Sequence, residues 1–221
     1  MNATGTIVKA HGKCVVWGAG GHAKVVAEIL RLSGYEVVGF IDEISPARKG
    51  ERFYGSVVLG GAEALDDLRQ SEVHQAIVGI GDNVRRVSTG NILISQGFNL
   101  VKAVHPNVAC ASDVALGAGT VLASGAIIGP STSIGAHVIV NTKASIDHDC
   151  SVADGAHVGP GAIVTGCDSI GECAWIGAGG IISDHRTIGA YSIVGAGAVV
   201  LKDVQPKTVV AGVPAVVIRL L

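Results

Sequence analysis

Residues 128–164 read IGPSTSIGAHVIVNTKASIDHDCSVADGAHVGPGAIV, within a longer stretch in which Leu, Ile or Val returns at every sixth position. The period runs from Leu116 to Val200 without an insertion or a deletion. The residue two positions before each aliphatic is usually small, and a glycine often follows the aliphatic. The fifteen aliphatic positions are Leu116, Leu122, Ile128, Ile134, Val140, Ile146, Val152, Val158, Val164, Ile170, Ile176, Ile182, Ile188, Val194 and Val200.

A fixed six-residue period predicts a parallel β-helix built from hexapeptides. The small residue and the aliphatic flank one outward residue, so both point inward on a short strand. The glycine and polar residues that follow turn the corner. Three sides of six residues close one coil, so residues eighteen apart stack on neighbouring coils, about 4.8 Å from each other. A chance Val/Ile-rich β-sandwich would not keep this period.

Composition and charge narrow the class of protein. The chain has 221 residues, a net charge of −2 and no basic run, so we expect no nucleic-acid partner. It lacks an apolar stretch of the ~18 residues that a membrane span needs. The segment from Met1 to Gly12 does not resemble a signal peptide, so we expect a cytoplasmic protein. The five cysteines have no metal-binding spacing, and we expect reduced thiols, with Cys150 pointing inward.

Before the repeats, apolar strand patterns alternate with helical patterns. This alternation predicts a small, Rossmann-like α/β domain with a parallel sheet. We place it at residues 1–104 and the β-helix at residues 105–221. The period is lost in residues 202–221, which we expect to cap the last coil.

The first turn of the α/β domain is rich in glycine. Gly18, Gly20, Gly21 and His22 lie between a predicted strand and a helix, where backbone N–H groups suit a diphosphate. The turn lacks the last glycine of the dinucleotide fingerprint, which favours a mononucleotide or nucleotide sugar over NAD. Asp42 ends the second strand and can accept a hydrogen bond from a ribose or base. The alternative is a turn that serves only helix–strand packing.

Asp147-His148-Asp149 is the densest polar cluster of the repeats. His148 follows an inward isoleucine, so it lies at a corner, and a count of eighteen places Gly166 beside it. An exposed imidazole flanked by carboxylates suits a general base, because its ordinary pKa is near 6.5 and a carboxylate raises its basicity. Either aspartate can orient the ring. The alternative is a solvated corner histidine without a role.

Further residues that the β-helix does not need are also polar or aromatic. His157 points outward and Trp175 stacks on it, which gives an amphipathic surface for a ligand or a subunit. Asn141, at a corner, is either a substrate contact or a solvent-exposed residue. Asp168 and Arg186 occupy inward positions one coil apart. We expect them to stack and form an ion pair, inside the β-helix or at an opened corner, since a lone buried charge is very costly.

The Gly-x-Gly-Gly-His turn, the hexapeptide repeats and the Asp-His-Asp cluster together resemble the hexapeptide nucleotide-sugar N-acetyltransferases of bacterial glycan synthesis. The resemblance covers residues 13–220. It implies a left-handed β-helix, a homotrimer with active sites between subunits, acetyl-CoA as co-substrate and no metal. The implied reaction acetylates the 4-amino group of a nucleotide-linked 4-amino-4,6-dideoxy sugar, either GDP-perosamine or a UDP-4-amino sugar.

The same resemblance implies roles for particular residues. His148 would be the general base and Asp149 its acidic partner. The coils lack the loop insertion of many hexapeptide enzymes, so the first domain must supply most of the substrate selectivity. The implied nucleotide-sugar contacts are Gly18, Gly20, Gly21, His22, Asp42, Gly81, Asn83 and Asn141. The implied acetyl-CoA contacts are His157, Gly166 and Ala178. We also expect Trp175 to contact acetyl-CoA, because it stacks on His157.

Three other functions are alternatives to N-acetyl transfer. The first is sugar O-acetylation of the sialic acid type, and the second is a non-catalytic hexapeptide protein that binds a nucleotide sugar. The third is a zinc site of the carbonic anhydrase kind, formed by His137, His148 and His157. Their positions, two at corners and one on a strand, argue against that site. The residues do not show whether the nucleotide base is guanine or uracil. The overall resemblance favours GDP-perosamine as the substrate.

Overall fold

The structure is a computed structural model that describes residues 11–221. It divides into two compact units, with the boundary between Pro106 and Asn107. The first ten residues, on which the signal-peptide expectation mostly rests, lie outside the described part. No helix among the described residues combines the length and apolar character that crossing a membrane requires.

The first unit is an α/β domain, as predicted. Its elements are β1 (Gly12–Trp17), α1 (Gly21–Leu32), β2 (Tyr35–Ile41), a 3-10 turn (Pro46–Arg48), β3 (Arg52–Phe53), β4 (Ser56–Gly60), α2 (Ala64–Gln70), β5 (Gln75–Val78), α3 (Asn83–Ser95), β6 (Asn99–Leu100) and β7 (Ala103–Val104). Six strands form one sheet in the order β3-β4-β2-β1-β5-β6, parallel except for the β3–β4 pair.

The apolar pattern of the sequence explains this arrangement. Strand β1 lies between β2 and β5, and its residues Cys14 to Trp17 are buried, as a central parallel strand requires. Helix α1 buries Ala23, Val26, Ala27 and Leu30, which recur every three or four residues on one face. The carboxyl ends of β1, β2 and β5 are therefore neighbours, and the loops that follow them can form one site.

The second unit is a left-handed parallel β-helix, as predicted. Each two-residue strand pairs in parallel with the strand eighteen residues further on, for example Ile139 with His157 and His157 with Trp175. The strands of the first face are Val121–Leu122, Ile139–Val140, His157–Val158, Trp175–Ile176 and Ile193–Val194. The strands of the second face are Ala109–Cys110, Ile127–Ile128, Ser145–Ile146, Ile163–Val164, Ile181–Ile182 and Val199–Val200. The strands of the third face are Ala115–Leu116, Ser133–Ile134, Ser151–Val152, Ser169–Ile170 and Thr187–Ile188. A hairpin, Thr208–Gly212 and Ala215–Leu220, extends the first face after the period ends.

The periodic aliphatics form the core of the β-helix. From Leu122 to Val200 they are at most 3% exposed, whereas Leu116, in the first coil, is half-buried. Each buried Val, Leu or Ile contributes about 1.5–3 kcal/mol of transfer free energy. Cys150 is 2% exposed, which confirms its inward orientation. The period thus fixes which side chains remain outside and are available for chemistry.

The predicted ion pair of Asp168 with Arg186 is wrong, although both residues are in the predicted register. Asp168 is only 1% exposed, and its Oδ1 accepts a hydrogen bond of 2.7 Å from the backbone N–H of Arg186. The guanidinium instead donates to the carbonyl of Asp184 at 3.0 Å and lies 4.0 Å from the carboxylate of Asp203. An internal ion pair would cost the desolvation of the Arg186 guanidinium. Acceptors at the surface allow the guanidinium to stay hydrated instead. Burial raises the pKa of Asp168 to about 6, against the lowering effect of backbone hydrogen bonds and of Arg186.

Candidate active site

A cavity of about 340 Å³ lies in the first unit, beside the carboxyl ends of β1, β2 and β5. This is the edge at which open α/β sheets bind ligands, and the volume is within the usual range for small-molecule sites. Most of the substrate contacts predicted in this unit line the cavity. They are Gly18, Gly20, Gly21, His22, Asp42 and Gly81.

The glycines of the first turn differ in what they do. Gly18 has a φ of +129°, and a Cβ there would lie 2.8 Å from the carbonyl oxygen of Gly79, so packing requires this glycine. Gly20 and Gly21 have no atom within 4 Å of a Cβ position, so the space beside them is open. No side chain caps α1 at Gly20. The first N–H groups of a helix lack intrahelical partners, which makes this turn suitable for an anion.

His22 lines the cavity as a neutral imidazole. Burial, with a contribution from the positive charge of Arg86, lowers its pKa to about 4. Within the described residues its Nε2 is buried and has no hydrogen-bond partner. Arg86 is fully buried and donates to the carbonyls of Ile80 and Gly81 at 3.2 and 2.9 Å, and to Oδ1 of Asn83 at 2.9 Å. The Asn83 side chain therefore supports this turn and does not itself line the cavity.

Asp42 is buried at the cavity wall, and its carboxylate is already engaged. Oδ1 accepts from the backbone N–H groups of Ile44 and Ser45 at 3.1 and 3.2 Å. Oδ2 accepts from Nη1 of Arg48 at 2.8 Å, and the same nitrogen lies 3.0 Å from the carbonyl oxygen of Ala19. Arg48 thus links Asp42 to the glycine-rich turn. Sequence reasoning missed Arg48, because its position depends on how the 3-10 turn folds back towards that turn.

In the second unit, two aspartates hold His148 in different ways. Its Nδ1 lies 2.8 Å from Oδ2 of Asp149, whereas Oδ1 of Asp147 accepts from its backbone N–H at 2.8 Å. Asp149 therefore orients the ring. The hydrogen bond to Asp149 raises the pKa of His148, and the charges of both aspartates add to this effect against desolvation. With Asp149 ionised, the neutral ring carries its proton on Nδ1, and Nε2 keeps a free lone pair.

Gly166 lies directly beside this imidazole, which confirms the juxtaposition expected from the eighteen-residue count. A Cβ on Gly166 would be 2.7 Å from Cε1 and 2.8 Å from Nε2 of His148. The ring occupies space that any other residue would fill. The His148 side chain is 52% exposed, so a substrate can reach its free nitrogen.

A second group of side chains lies on the first face and its corner. The rings of His157 and Trp175 stack with centroids 6.1 Å apart and planes 17° apart, as the register predicts. Nε2 of His157 is 3.1 Å from Nδ2 of Asn141, whose Oδ1 accepts from the backbone N–H of Thr142 at 2.8 Å. The amide therefore donates to Nε2, and His157 carries its proton on Nδ1. Trp175 is 46% exposed and Ala178 is also exposed, so this surface is open to a ligand.

The three histidines of the alternative zinc site lie in different environments. His137 is buried, His148 is exposed and His157 is half-buried. Within residues 11–221, a group with suitable ligand atoms is formed instead by His148, Asp149 and Cys167, whose atoms lie within 4.8 Å of one another. Sequence reasoning did not single out Cys167, although the same count of eighteen places it one coil from Asp149.

Comparison with known proteins identifies the family. Residues 13–91 match the family described as the PglD N-terminal domain. Among solved structures, the chain is similar to a histidine-substituted perosamine N-acetyltransferase from Caulobacter crescentus in complex with CoA and GDP-perosamine. Identity is 39%, the TM-score is 0.90, and the match covers 94% of this chain and 97% of that one. This chain belongs to the hexapeptide family of nucleotide-sugar N-acetyltransferases.

Other similar structures agree with this membership. The acetyltransferase domain of PglB from Neisseria gonorrhoeae, in complex with acetyl coenzyme A, is 34% identical, with a TM-score of 0.87 over 93% of this chain and 98% of that one. WeeI from Acinetobacter baumannii is 27% identical, with a TM-score of 0.83 over 94% of this chain and 100% of that one. The predicted enzyme class, an acetyl-CoA-dependent sugar N-acetyltransferase, is confirmed. The roles of the individual site residues remain predictions.

Proposed function

We propose that this N-acetyltransferase moves the acetyl group of acetyl-CoA to the 4-amino group of a nucleotide-linked 4-amino-4,6-dideoxy sugar, with His148 as general base. The observation that carries the proposal is the exposed imidazole of His148, which Asp149 orients beside Gly166. GDP-perosamine is the first substrate to test, because the similar Caulobacter enzyme was crystallised with it. A UDP-linked 4-amino sugar is the second.

The cavity of the first unit would hold the nucleotide end of this substrate. The open backbone at Gly20 and Gly21 would receive the diphosphate, since these glycines leave space at a helix N-terminus. Asp42, which also lines the cavity and is held by Arg48, would contact the nucleoside. His22 is neutral at pH 7, so its imidazole can hydrogen-bond to a ligand without adding charge.

The proposed chemistry is direct transfer. The neutral sugar amine attacks the thioester carbonyl and forms the C–N bond, while Nε2 of His148 accepts the proton that the nitrogen loses. The C–S bond then breaks and CoA leaves as the thiolate, which takes up the proton held by His148 and returns the imidazole to its neutral form. Asp149 keeps Nδ1 protonated and stabilises the imidazolium that forms on His148. A general base of this kind typically contributes about 10²- to 10⁴-fold to the rate.

Acetyl-CoA would lie along the first-face surface formed by His157, Trp175 and Ala178, with Asn141 near the sugar amine. The half-exposed indole of Trp175 offers an apolar face, and the His157–Asn141 contact offers polar groups beside it. His148, in contrast, follows a strand of the second face. A site that uses both sets of residues is simplest to build between two copies of the chain.

We therefore also propose a homotrimer with active sites between subunits. Outward isoleucines of the second face support it, because Ile127, Ile163 and Ile181 are 52%, 41% and 36% exposed in the single chain. Light scattering coupled to size exclusion should give three times the chain mass of 22.2 kDa. A monomer at micromolar concentration would contradict this part of the proposal.

The central experiment is a thermal-shift panel of GDP- and UDP-linked sugars, followed by turnover of the hits with acetyl-CoA. Loss of the thioester absorbance and mass analysis of the product should show one acetyl group on the sugar amine. Sugars with a hydroxyl at the same carbon test O-acetylation, and preference for them would contradict the proposal. Stabilisation by a nucleotide sugar without turnover would indicate a binding protein instead.

Substitution of His148 by Ala tests the base. We expect turnover to fall about 10²- to 10⁴-fold while the ligand-induced thermal shift is retained. His74→Ala is the matched control, because His74 is an exposed histidine of the first unit outside the cavity lining. Full activity of His148→Ala would remove the assignment of the base.

A further inference from the structure

Cys167 lies next to the proposed base and is not used by the acetyl transfer. Its backbone N–H donates to the carbonyl oxygen of His148 at 3.0 Å, so the two residues are fixed on successive coils. Because Gly166 has no side chain, the imidazole lies against the backbone that leads into Cys167. One ligand atom each from His148, Asp149 and Cys167 lies within 4.8 Å of the other two.

We propose that these three side chains bind a soft divalent cation such as Zn²⁺, and that the bound cation inhibits the enzyme. This inference rests on the proposed role of His148 as general base. A thiolate, an imidazole and a carboxylate are the ligands that zinc uses in proteins. In a tetrahedral site the ligand atoms are about 3.3–3.8 Å apart, given metal–ligand bonds of about 2.0–2.3 Å.

The geometry is close to what such a site requires. The 4.8 Å limit exceeds the tetrahedral spacing by only about 1–1.5 Å. The side chains of His148 and Asp149 are 52% and 58% exposed, so they can rotate towards a cation without repacking the core. Three protein ligands leave a fourth position for water, as in open zinc sites.

The expected consequence follows from the lone pairs of the imidazole. A cation bound to Nε2 occupies the lone pair that must accept the amine proton. A cation bound to Nδ1 replaces the proton that Asp149 holds in place, and it also draws Asp149 away from its orienting contact. In either arrangement the imidazole of His148 can no longer act as a general base. The cation is thus an inhibitor and not a cofactor of the transfer.

The binding half can be tested without a sugar substrate. Cobalt(II) added to the purified protein should give a thiolate-to-cobalt charge-transfer band and the strong visible absorption of a four-coordinate site, and zinc should displace both. Cys167→Ser should weaken binding by at least about 10- to 100-fold, since losing even an indirect support of a metal ligand often costs that much. Cys110→Ser is the control, because Cys110 is exposed and lies on a strand of the second face, away from this corner.

A second measurement keeps the test independent of the variants. Zinc should protect Cys167, and not Cys110, from alkylation mapped by mass spectrometry. The proposal is overturned if wild type gives no charge-transfer band, if the band survives in Cys167→Ser, or if zinc leaves alkylation of Cys167 unchanged.

The inhibitory half uses the acetyl-transfer assay. Zinc should slow turnover of wild type and Cys110→Ser, a chelator should restore it, and Cys167→Ser should keep its activity in zinc. Turnover of wild type that zinc leaves unchanged while the cobalt band is present would overturn inhibition. Failure of the proposed function would appear separately, as a chain that binds cobalt but never turns over a sugar.

Discussion

Gly166→Ala should damage catalysis by moving one ring, without damaging the fold. The added Cβ would lie 2.7 Å from Cε1 and 2.8 Å from Nε2 of His148, far inside the ordinary contact range of 3.4–4 Å. The backbone of Gly166 is not in the left-handed region, so alanine fits its conformation. The imidazole must therefore give way by about 1 Å. Since that ring is half-exposed, it can move at little cost in folding free energy.

The magnitude follows from how His148 is held. The ring is positioned by one hydrogen bond of 2.8 Å to Asp149, and a shift of this size breaks the bond or turns Nε2 away from the amine. A misplacement of about 1 Å can cost about 10²-fold in rate. We expect kcat to fall about 10- to 100-fold, with the KM for the nucleotide sugar little changed and a melting temperature near that of wild type.

Steady-state kinetics with both substrates provides the assay, and a double variant provides the control. If Gly166 acts through the ring, adding Gly166→Ala to His148→Ala should cause little further loss, because residues in contact are not additive. The resemblance also places Gly166 on the coenzyme A path. A rise in the KM for acetyl-CoA with an unchanged kcat, or full additivity in the double variant, would refute the argument from His148.

Three further predictions concern separate parts of the molecule. Asp149→Asn replaces the charged acceptor in the hydrogen bond that does most to raise the pKa of His148, so the acid limb of kcat/KM against pH should move to lower pH while the plateau drops. Asp168 binds its proton more tightly in the folded chain than in the unfolded one. Wild type should therefore lose up to about 3 kcal/mol of stability as pH rises from about 4 to about 6, and denaturation of Asp168→Asn should lack this loss. Gly20→Val fills space beside the proposed diphosphate site, so it should abolish the thermal shift caused by nucleotide sugars and leave the unliganded melting temperature unchanged.

The β-helix could be predicted in detail because its period assigns each residue to a coil and to a face or corner. A count of eighteen residues placed Gly166 beside His148 and Trp175 on His157, and both contacts are present. Such a count fixes Cα positions and the inward or outward direction of strand residues. It does not fix which way a corner side chain turns. The choice between Asp147 and Asp149 as the partner of the ring therefore required the structure.

In the first unit, the sequence predicted where site residues lie better than it predicted their hydrogen-bond partners. The strand ends gave the location of Asp42, and the family resemblance pointed to Asn83. Their side-chain partners, Arg48 and Arg86, come from segments whose direction no periodic pattern encodes. A buried arginine is rare enough that hydropathy would place it outside. Arg86 is fully buried because the carbonyls and the amide of one turn can accept its hydrogen bonds.

The failed prediction about Asp168 exposes a rule of the β-helix interior. Thr120, Thr132 and Cys150 occupy the same inward position, and each donates its side-chain hydrogen to the carbonyl fifteen residues on. The two threonine hydroxyls also accept from the backbone N–H eighteen residues on. Asp168 accepts in the same way from Arg186. A carboxylate can only accept, and a carboxylic acid can both accept and donate, so this position favours the protonated form. The inward position therefore favours the protonated aspartate over the carboxylate, in agreement with the pKa of Asp168, which burial raises to about 6.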